Sequence, residues 1–201
     1  MKTKMLLLVA MFLFGVEATY AQVKDQISIG PRVGVNFSNV SNVDNSESVT
    51  GLLLGLTSTY SISERSGITL DVLYSTEGYK TEFEEYKIHN LQIPIYFDVF
   101  FGELGSPFRP KVYLGVVPGF FLDAEFNGNE SNDDFYNGFL FGVSGGLGFN
   151  YRVASRIWLN TDLRANVGLI DIRDQVLDGD DLLADRTFSL SVGLAYGLSK
   201  L

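Results

Sequence analysis

The sequence predicts an all-β protein: an eight-stranded up-and-down antiparallel transmembrane β-barrel that follows an N-terminal signal peptide. First, large apolar residues alternate with small or polar ones in eight segments, most clearly in residues 188–198, and a period of two is typical of a strand. Second, the segment 188–198 is 11 residues long, about the length that a tilted strand needs to cross the hydrocarbon core of a bilayer. Third, short and long connections alternate along the chain, which indicates an up-and-down barrel.

The first 21 residues have the organisation of a secretory signal peptide. A charged start (MKTK) is followed by an apolar run from Met5 to Val16 and by small residues that end at Ala21. The apolar run is 12 residues long, whereas a spanning helix needs roughly 20. We therefore expect cleavage after Ala21, with residues 1–21 as signal peptide and residues 22–201 as one outer-membrane barrel domain.

Composition argues against several kinds of site. Cysteine is absent, so we expect no disulfide framework, no thiol nucleophile and no lipoprotein anchor. Loss of Lys2, Lys4 and Glu17 with the signal peptide would change the formal net charge from −9 to −10. Nucleic-acid-binding proteins carry basic patches, so this acidity predicts no nucleic acid partner.

Strands one to four follow from alternation in the first half of the chain. Their ranges and apolar faces are 27–37 with Ile27, Ile29, Val33, Val35 and Phe37; 50–62 with Leu52, Leu54, Leu56 and Tyr60; 68–77 with Ile68, Leu70, Val72 and Tyr74; and 90–99 with Leu91, Ile93, Ile95, Phe97 and Val99. Pro31 and Pro94 each remove a ladder hydrogen bond, so we expect a bulge or bend at each.

Strands five to eight repeat the pattern. Their ranges and apolar faces are 111–122 with Val112, Leu114, Val116, Phe120 and Leu122; 138–150 with Phe139, Phe141, Val143, Leu147 and Phe149; 156–169 with Ile157, Leu159, Leu163, Ala165, Val167 and Leu169; and 188–198 with Phe188, Leu190, Val192, Leu194, Tyr196 and Leu198. Pro118 predicts a third bulge or bend.

The connections predict the sidedness of the barrel. Short turns are expected at residues 63–67, 102–110 and 151–155, and long loops at residues 39–48, 78–87, 123–136 and 170–186. An even number of strands places both ends of the barrel chain on one side, which we predict to be the periplasmic side together with the short turns. Basic residues near those turns, namely Arg109, Lys111, Arg152 and Arg156, agree with this assignment. The long loops would then be extracellular and offer a surface to protein partners.

The composition of the second face indicates that the apolar face is the outer one. A barrel that lives in water needs a charged exterior, whereas here the second face is mostly Gly, Ser, Thr and Asn, which suits a narrow, filled lumen. Aromatic residues collect near the ends of the apolar face, as in the girdles of outer-membrane barrels. They are Phe37, Tyr74, Phe120, Phe139 and Phe188 at the long-loop end and Tyr60, Phe97, Phe101, Phe149 and Tyr196 at the other. We expect a monomer in the outer membrane, with outer-membrane lipid around it.

Two stretches carry a family resemblance. The segment 91–97 (LQIPIYF), followed by 108–115 (FRPKVYLG) and 117–119 (VPG), resembles the PorT-like outer-membrane β-barrel family of Bacteroidetes. The end of the predicted signal peptide, Ala21-Gln22, and the closing segment 193–196 (GLAY) are similar as well. The resemblance implies a small outer-membrane barrel and, as in the founding members, a part in type IX secretion or gliding.

Candidate chemistry is sparse. His89 is the single histidine, and its parity predicts an outward side chain near the extracellular rim, beside Glu84 and Glu85 and away from Ser75 and Glu77. A serine hydrolase needs its base within hydrogen-bond reach of nucleophile and carboxylate, so we predict no catalytic residues. Charges expected in the lumen are Arg32, Asp71, Asp98, Arg156, Asp162 and Arg164. Either mutually neutralising ion pairs or an ion path would fit them.

Metal and cofactor sites are not predicted either. Carboxylates at residues 133–134, 171–174 and 178–181 lack the spacing of an EF-hand loop, so a solvated acidic surface is expected. The first functional hypothesis is a non-enzymatic barrel with a structural, surface-contact or secretion-associated role. A narrow porin or ion pathway, an outer-membrane lipid-modifying enzyme and a soluble lipocalin-like binder are the alternatives.

Overall fold

The computed structural model describes residues 26–40, 47–80, 85–103, 106–126, 129–130, 138–169 and 185–198. The predicted signal peptide and nearly all of the predicted loop 170–186 lie outside these residues. The strands in chain order are β1 Gln26–Val40, β2 Glu47–Ser61, β3 Ser66–Lys80, β4 Glu85–Gln92, β5 Ile95–Phe100, β6 Phe108–Phe126, β7 Asn129–Glu130, β8 Phe139–Ala154, β9 Ile157–Gly168 and β10 Asp185–Gly197.

The sheet closes on itself as the predicted eight-stranded antiparallel barrel. Strand β1 pairs with β2 on one side and with β10 on the other, so that Phe37 lies opposite both Thr50 and Phe188. Strands β4 and β5 both lie between β3 and β6 and together make one wall of the barrel. The two-residue strand β7 pairs with the end of β6.

Several strands run further than the alternation predicted. β3 reaches Lys80, β4 begins at Glu85 and β6 extends to Phe126, which shortens the predicted loops 78–87 and 123–136. The turn at 102–110 gives up three residues to β6, and β8 continues to Ala154. Ladder hydrogen bonds do not depend on side chains, so the strands continue beyond the apolar segment that the sequence pattern reveals.

The three prolines behave differently from one another. Pro94 lies in the break between β4 and β5, and the register of the pairing with β3 is the same on both sides of the break. Pro31 and Pro118 lie inside β1 and β6, and the pairing of Pro31 with Leu56 and of Pro118 with Phe141 continues the register on both sides. The continuous register therefore shows no bulge at these prolines, and a bend at each stays a prediction.

The outward face is apolar and the lumen is polar, as predicted. Along β10, Leu190, Val192 and Leu194 are 47%, 41% and 50% exposed, whereas Ser189 and Ser191 are each 1% exposed. Such a continuous exposed apolar band is typical of a surface that contacts lipid. The aromatic girdle positions face outward with it: Phe37, Tyr74, Phe120, Phe139 and Phe188 at one end, and Tyr60, Phe97, Phe101 and Tyr196 at the other, are all exposed.

Glycines on the lumen side let neighbouring strands approach closely. A Cβ atom at Gly115 would lie 2.0 Å from the carbonyl oxygen of Ile95 on the paired strand. At Gly146 a Cβ would lie 2.5 Å from the hydroxyl of Tyr113, whose side chain covers this glycine inside the lumen. The small residues are therefore required by the tight curvature of an eight-stranded barrel.

Within the described residues, the structure has no helix that is long and apolar enough to cross a membrane.

Candidate functional site

Six charged side chains meet inside the barrel, and we call them the charge plug. They come from five strands and comprise three cations, Arg32, Lys111 and Arg164, and three anions, Asp71, Asp98 and Asp162. Each is at most 4% exposed. Because the charges balance three against three, the plug is electrically neutral.

Direct ion pairs join the members of the charge plug. Asp162 accepts a hydrogen bond from Arg32 Nη1, and its Oδ1 atom lies 2.9 Å from Lys111 Nζ. Lys111 Nζ also lies 3.4 Å from Asp98 Oδ1. Asp71 Oδ2 lies 3.2 Å from Arg164 Nη2 and 3.6 Å from Arg32 Nε. Each aspartate therefore contacts at least one buried cation, which offsets the cost of removing its charge from water.

Neutral hydroxyl groups complete the network. Asp98 accepts a second hydrogen bond from Thr69 Oγ1 at 2.6 Å, and Arg164 Nη1 donates to the Tyr96 hydroxyl at 3.3 Å. The rings of Tyr96 and Tyr113 meet edge to face, with centroids 5.0 Å apart. The Tyr113 hydroxyl donates to the carbonyl of Leu163 at 3.2 Å. These contacts fill the lumen with side chains held by directional bonds.

The short-turn end of the lumen is covered by another arginine. Arg109 is 3% exposed, its Nη2 atom donates to the carbonyl of Glu64 at 2.7 Å, and its guanidinium lies 4.1 Å from the centre of the Phe100 ring. The sequence placed Arg109 and Lys111 among the basic residues of the short turns, and this placement is wrong because both are buried in the lumen. Two of the four residues that supported the predicted sidedness therefore support it no longer.

Arg156 is the one predicted lumen charge that the structure places elsewhere. Its side chain is partly exposed, and its Nη1 atom donates to the hydroxyl of Tyr196, an outward residue, at 3.1 Å. Arg156 lies in the turn before β9, where side chains no longer alternate between the two faces. The sequence missed Lys111 as a member of the plug, although its lumen parity was visible.

His89 faces outward near the long-loop end, as predicted, whereas Glu84 and the side chain of Glu85, its predicted neighbours, lie outside the described residues. Its ring stacks on Tyr74 with centroids 5.7 Å apart, and its Nδ1 atom lies 2.7 Å from the Tyr74 hydroxyl. Its Nε2 atom lies 3.4 Å from Glu125 Oε1. Ser75 and Glu77 bond to each other inside the lumen, at 3.0 Å. His89 is thus held by rim residues and is not directed at the Ser75–Glu77 pair.

The predicted acidic surface lies outside the residues that the structure describes. The carboxylates of residues 133–134, 171–174 and 178–181 lie there, so their ability to bind calcium stays untested. Within the described residues, no group of three or more His, Asp or Glu side chains could hold a metal ion.

Comparisons with known proteins identify the family. The family described as outer membrane protein beta-barrel domain matches residues 20–174. Among solved structures, neisserial surface protein A (NspA) is 18% identical with a TM-score of 0.59, covering 85% of this chain and 96% of its own. OprG of Pseudomonas aeruginosa is 15% identical with a TM-score of 0.52, covering 87% and 95%. Ail of Yersinia pestis, solved with the heparin analogue sucrose octasulfate, is 10% identical with a TM-score of 0.54, covering 88% and 100%.

No curated protein matches the sequence. The structural neighbours agree in fold, and the family match covers most of the chain. The exposed apolar band of the barrel therefore contacts the lipid of the outer membrane. The chain belongs to the outer-membrane β-barrel domain family and is an outer-membrane protein.

Proposed function

We propose that this protein is a non-enzymatic, non-conducting outer-membrane barrel with a structural, surface-contact or secretion-associated role. The observation that carries the proposal is the neutral charge plug. Six buried, paired charges and the Tyr96–Tyr113 pair occupy the lumen, so a permeating ion would have to break several ion pairs at once. That barrier argues against a narrow porin or ion pathway.

Conductance in planar lipid bilayers tests this proposal. The wild-type barrel is expected to give no steps of porin size. As a matched comparison, the double substitution of Arg32 and Asp162 by Ala leaves the net charge unchanged. It removes the pair between these two residues and also the contacts of Asp162 with Lys111 and of Arg32 with Asp71. This variant is expected to contain a hydrated gap and to give small, brief steps. Steady porin-sized steps from the wild type would contradict the proposal.

The long-loop end is the proposed contact surface, which requires it to face outward from the cell. A cysteine can report this because the chain has none of its own. A membrane-impermeant maleimide applied to intact cells is expected to label Asn45→Cys in the predicted loop 39–48. It should spare Arg65→Cys in the short turn between β2 and β3. The reverse pattern would overturn the sidedness.

The PorT-like resemblance supports a secretion-associated role as the specific form of this proposal. The residues that carry it lie at the break between β4 and β5 and along β6. Affinity purification of the full barrel is expected to recover a secretion component through the long loops. Normal type IX cargo secretion in a deletion strain, together with no stable partner, would remove this role and leave a structural one.

Two further properties of the chain bear on alternatives. Ail was solved with a polysulfated ligand, whereas the acidity of this chain, with formal net charge −9, disfavours polyanions at its surface. A lipid-modifying activity is disfavoured by the contacts of His89, which are made with rim residues. Lipid A from a deletion strain is expected to have an unchanged mass spectrum, and a changed one would favour the enzyme.

A further inference from the structure

A second polar cluster lies in the lumen toward the long-loop end, and it is built around one carboxylate. Glu77 is 5% exposed and accepts hydrogen bonds from Ser75 Oγ at 3.0 Å, Gln92 Nε2 at 2.9 Å and Asn90 Nδ2 at 3.3 Å. All three donors are neutral. Of the buried carboxylates among the described residues, Glu77 is the one without an Arg or Lys partner within ion-pair distance.

Two side-chain oxygen atoms near Glu77 are buried hydrogen-bond acceptors without a donor among the described residues. A carboxylate can only accept, so the amide nitrogen of Asn90 must face Glu77 and its oxygen must face away. Asn90 is 2% exposed, and its Oδ1 atom has no hydrogen-bond partner among the described residues. The Oδ1 atom of the partly buried Asn166 also has none there. Both residues line a cavity together with Glu77. Buried acceptors without donors are costly, and a ligand that donates hydrogen bonds would relieve that cost.

Apolar side chains form the rest of the cavity wall. Ile88, Val117 and Leu140 line it beside the polar atoms, and Ile88 and Val117 are buried. Calcium prefers six to eight oxygen ligands, several of them carboxylates, and this cavity offers one carboxylate. A primary ammonium group has three N–H donors and one positive charge, which matches Glu77 together with the two free amide oxygens. An attached apolar chain would suit the remaining wall.

We propose that this cavity binds an organic primary ammonium ion, held by Glu77, Asn90 and Asn166, with its apolar part against Val117 and Leu140. The cations of the charge plug would not repel such a ligand strongly. Arg164, two residues before Asn166 on the same strand, is paired with Asp71 at 3.2 Å. The site is separate from the plug and would exist whether or not the lumen conducts.

Calorimetric titration of the purified full chain in a non-ionic detergent tests the proposal, with n-butylammonium chloride as the probe. Saturable binding is expected. 1-Butanol, which has the same number of heavy atoms but no charge, and tetramethylammonium, which has no N–H donor, should each bind at least tenfold more weakly. Equal binding of either compound, or no saturable binding of n-butylammonium, would overturn the proposal.

Variants locate the binding. Glu77→Gln is expected to weaken n-butylammonium binding at least tenfold, and Asn166→Leu at least threefold. The matched control Glu125→Gln removes a carboxylate that pairs with His89 outside the cavity and should leave affinity unchanged. Folding of each variant is checked by heat-modified mobility on gels, and Asn166→Leu provides the test if Glu77→Gln does not fold. Unchanged affinity in the folded cavity variants would place the binding elsewhere.

Discussion

Replacing Lys111 by Met removes the cation that joins two aspartates of the charge plug. Lys111 Nζ lies 2.9 Å from Asp162 and 3.4 Å from Asp98, and the residue is 4% exposed. At an effective dielectric constant of about 20, the Coulomb attraction of each contact is roughly 5 kcal/mol. The variant loses this attraction, but it also avoids the free-energy cost of burying the Lys111 ammonium group, so the net loss is smaller. Asp162 keeps its ion pair with Arg32, whereas Asp98 keeps, among the side chains that the structure describes, only the hydrogen bond from Thr69. We expect the free energy of unfolding to fall by about 3–5 kcal/mol, the usual cost of leaving one buried charge unpaired.

Urea unfolding from lipid vesicles measures this change through the fluorescence of Trp158, the single tryptophan. Adding Asp98→Asn to Lys111→Met restores neutrality and should recover most of the lost stability. As a control, Arg156→Met removes a partly exposed cation and should cost less than about 1 kcal/mol. A Lys111→Met cost as small as that of Arg156→Met, or a double variant no more stable than the single one, would refute the idea of a balanced plug.

Two more changes test the wall of the barrel. Gly115→Val would place a Cβ atom 2.0 Å from the Ile95 carbonyl oxygen and should lower the free energy of unfolding by about 1–3 kcal/mol. Gly138→Ala, whose Cβ would have no neighbour within 4 Å among the described residues, should have little effect. Equal effects in urea unfolding would contradict the close packing of β5 and β6 at Gly115. Val192→Arg, on the lipid face midway between Phe188 and Tyr196, should cost about 2–4 kcal/mol, and Thr50→Arg near the long-loop rim about 0–1 kcal/mol. Equal costs for these two arginines would argue against a membrane midplane at Val192.

The period of two in the sequence was sufficient to predict the number of wall strands and the outward face. That signal is local, because each residue's parity on a strand determines its side of the sheet. The period of two also indicated that Lys111 faces the lumen. Because Lys111 lies next to a short turn, it was instead assigned to the basic residues on the periplasmic side, and this assignment was wrong. Arg156 shows the opposite error, since parity has no meaning once the chain has left the strand.

Partners inside the lumen could not be predicted in the same way. Arg32 and Asp162 are 130 residues apart in the sequence. They meet because β1 pairs with β10 when the barrel closes, and β10 pairs in turn with β9, which carries Asp162. Glu77 and Gln92 meet through the pairing of β3 with β4, and nothing in their local sequence marks the unpaired charge. The register at closure, which no single segment encodes, decides these contacts.

A nitroxide scan along β10 tests the central claim, that the apolar face contacts lipid and the polar face is enclosed. Because the chain lacks cysteine, single cysteines at residues 189–192 can be labelled one at a time in reconstituted vesicles. The account predicts that labels at Leu190 and Val192 collide readily with lipid-dissolved oxygen and that labels at Ser189 and Ser191 are protected and immobile. The opposite phase, or equal oxygen accessibility at all four positions, would contradict it.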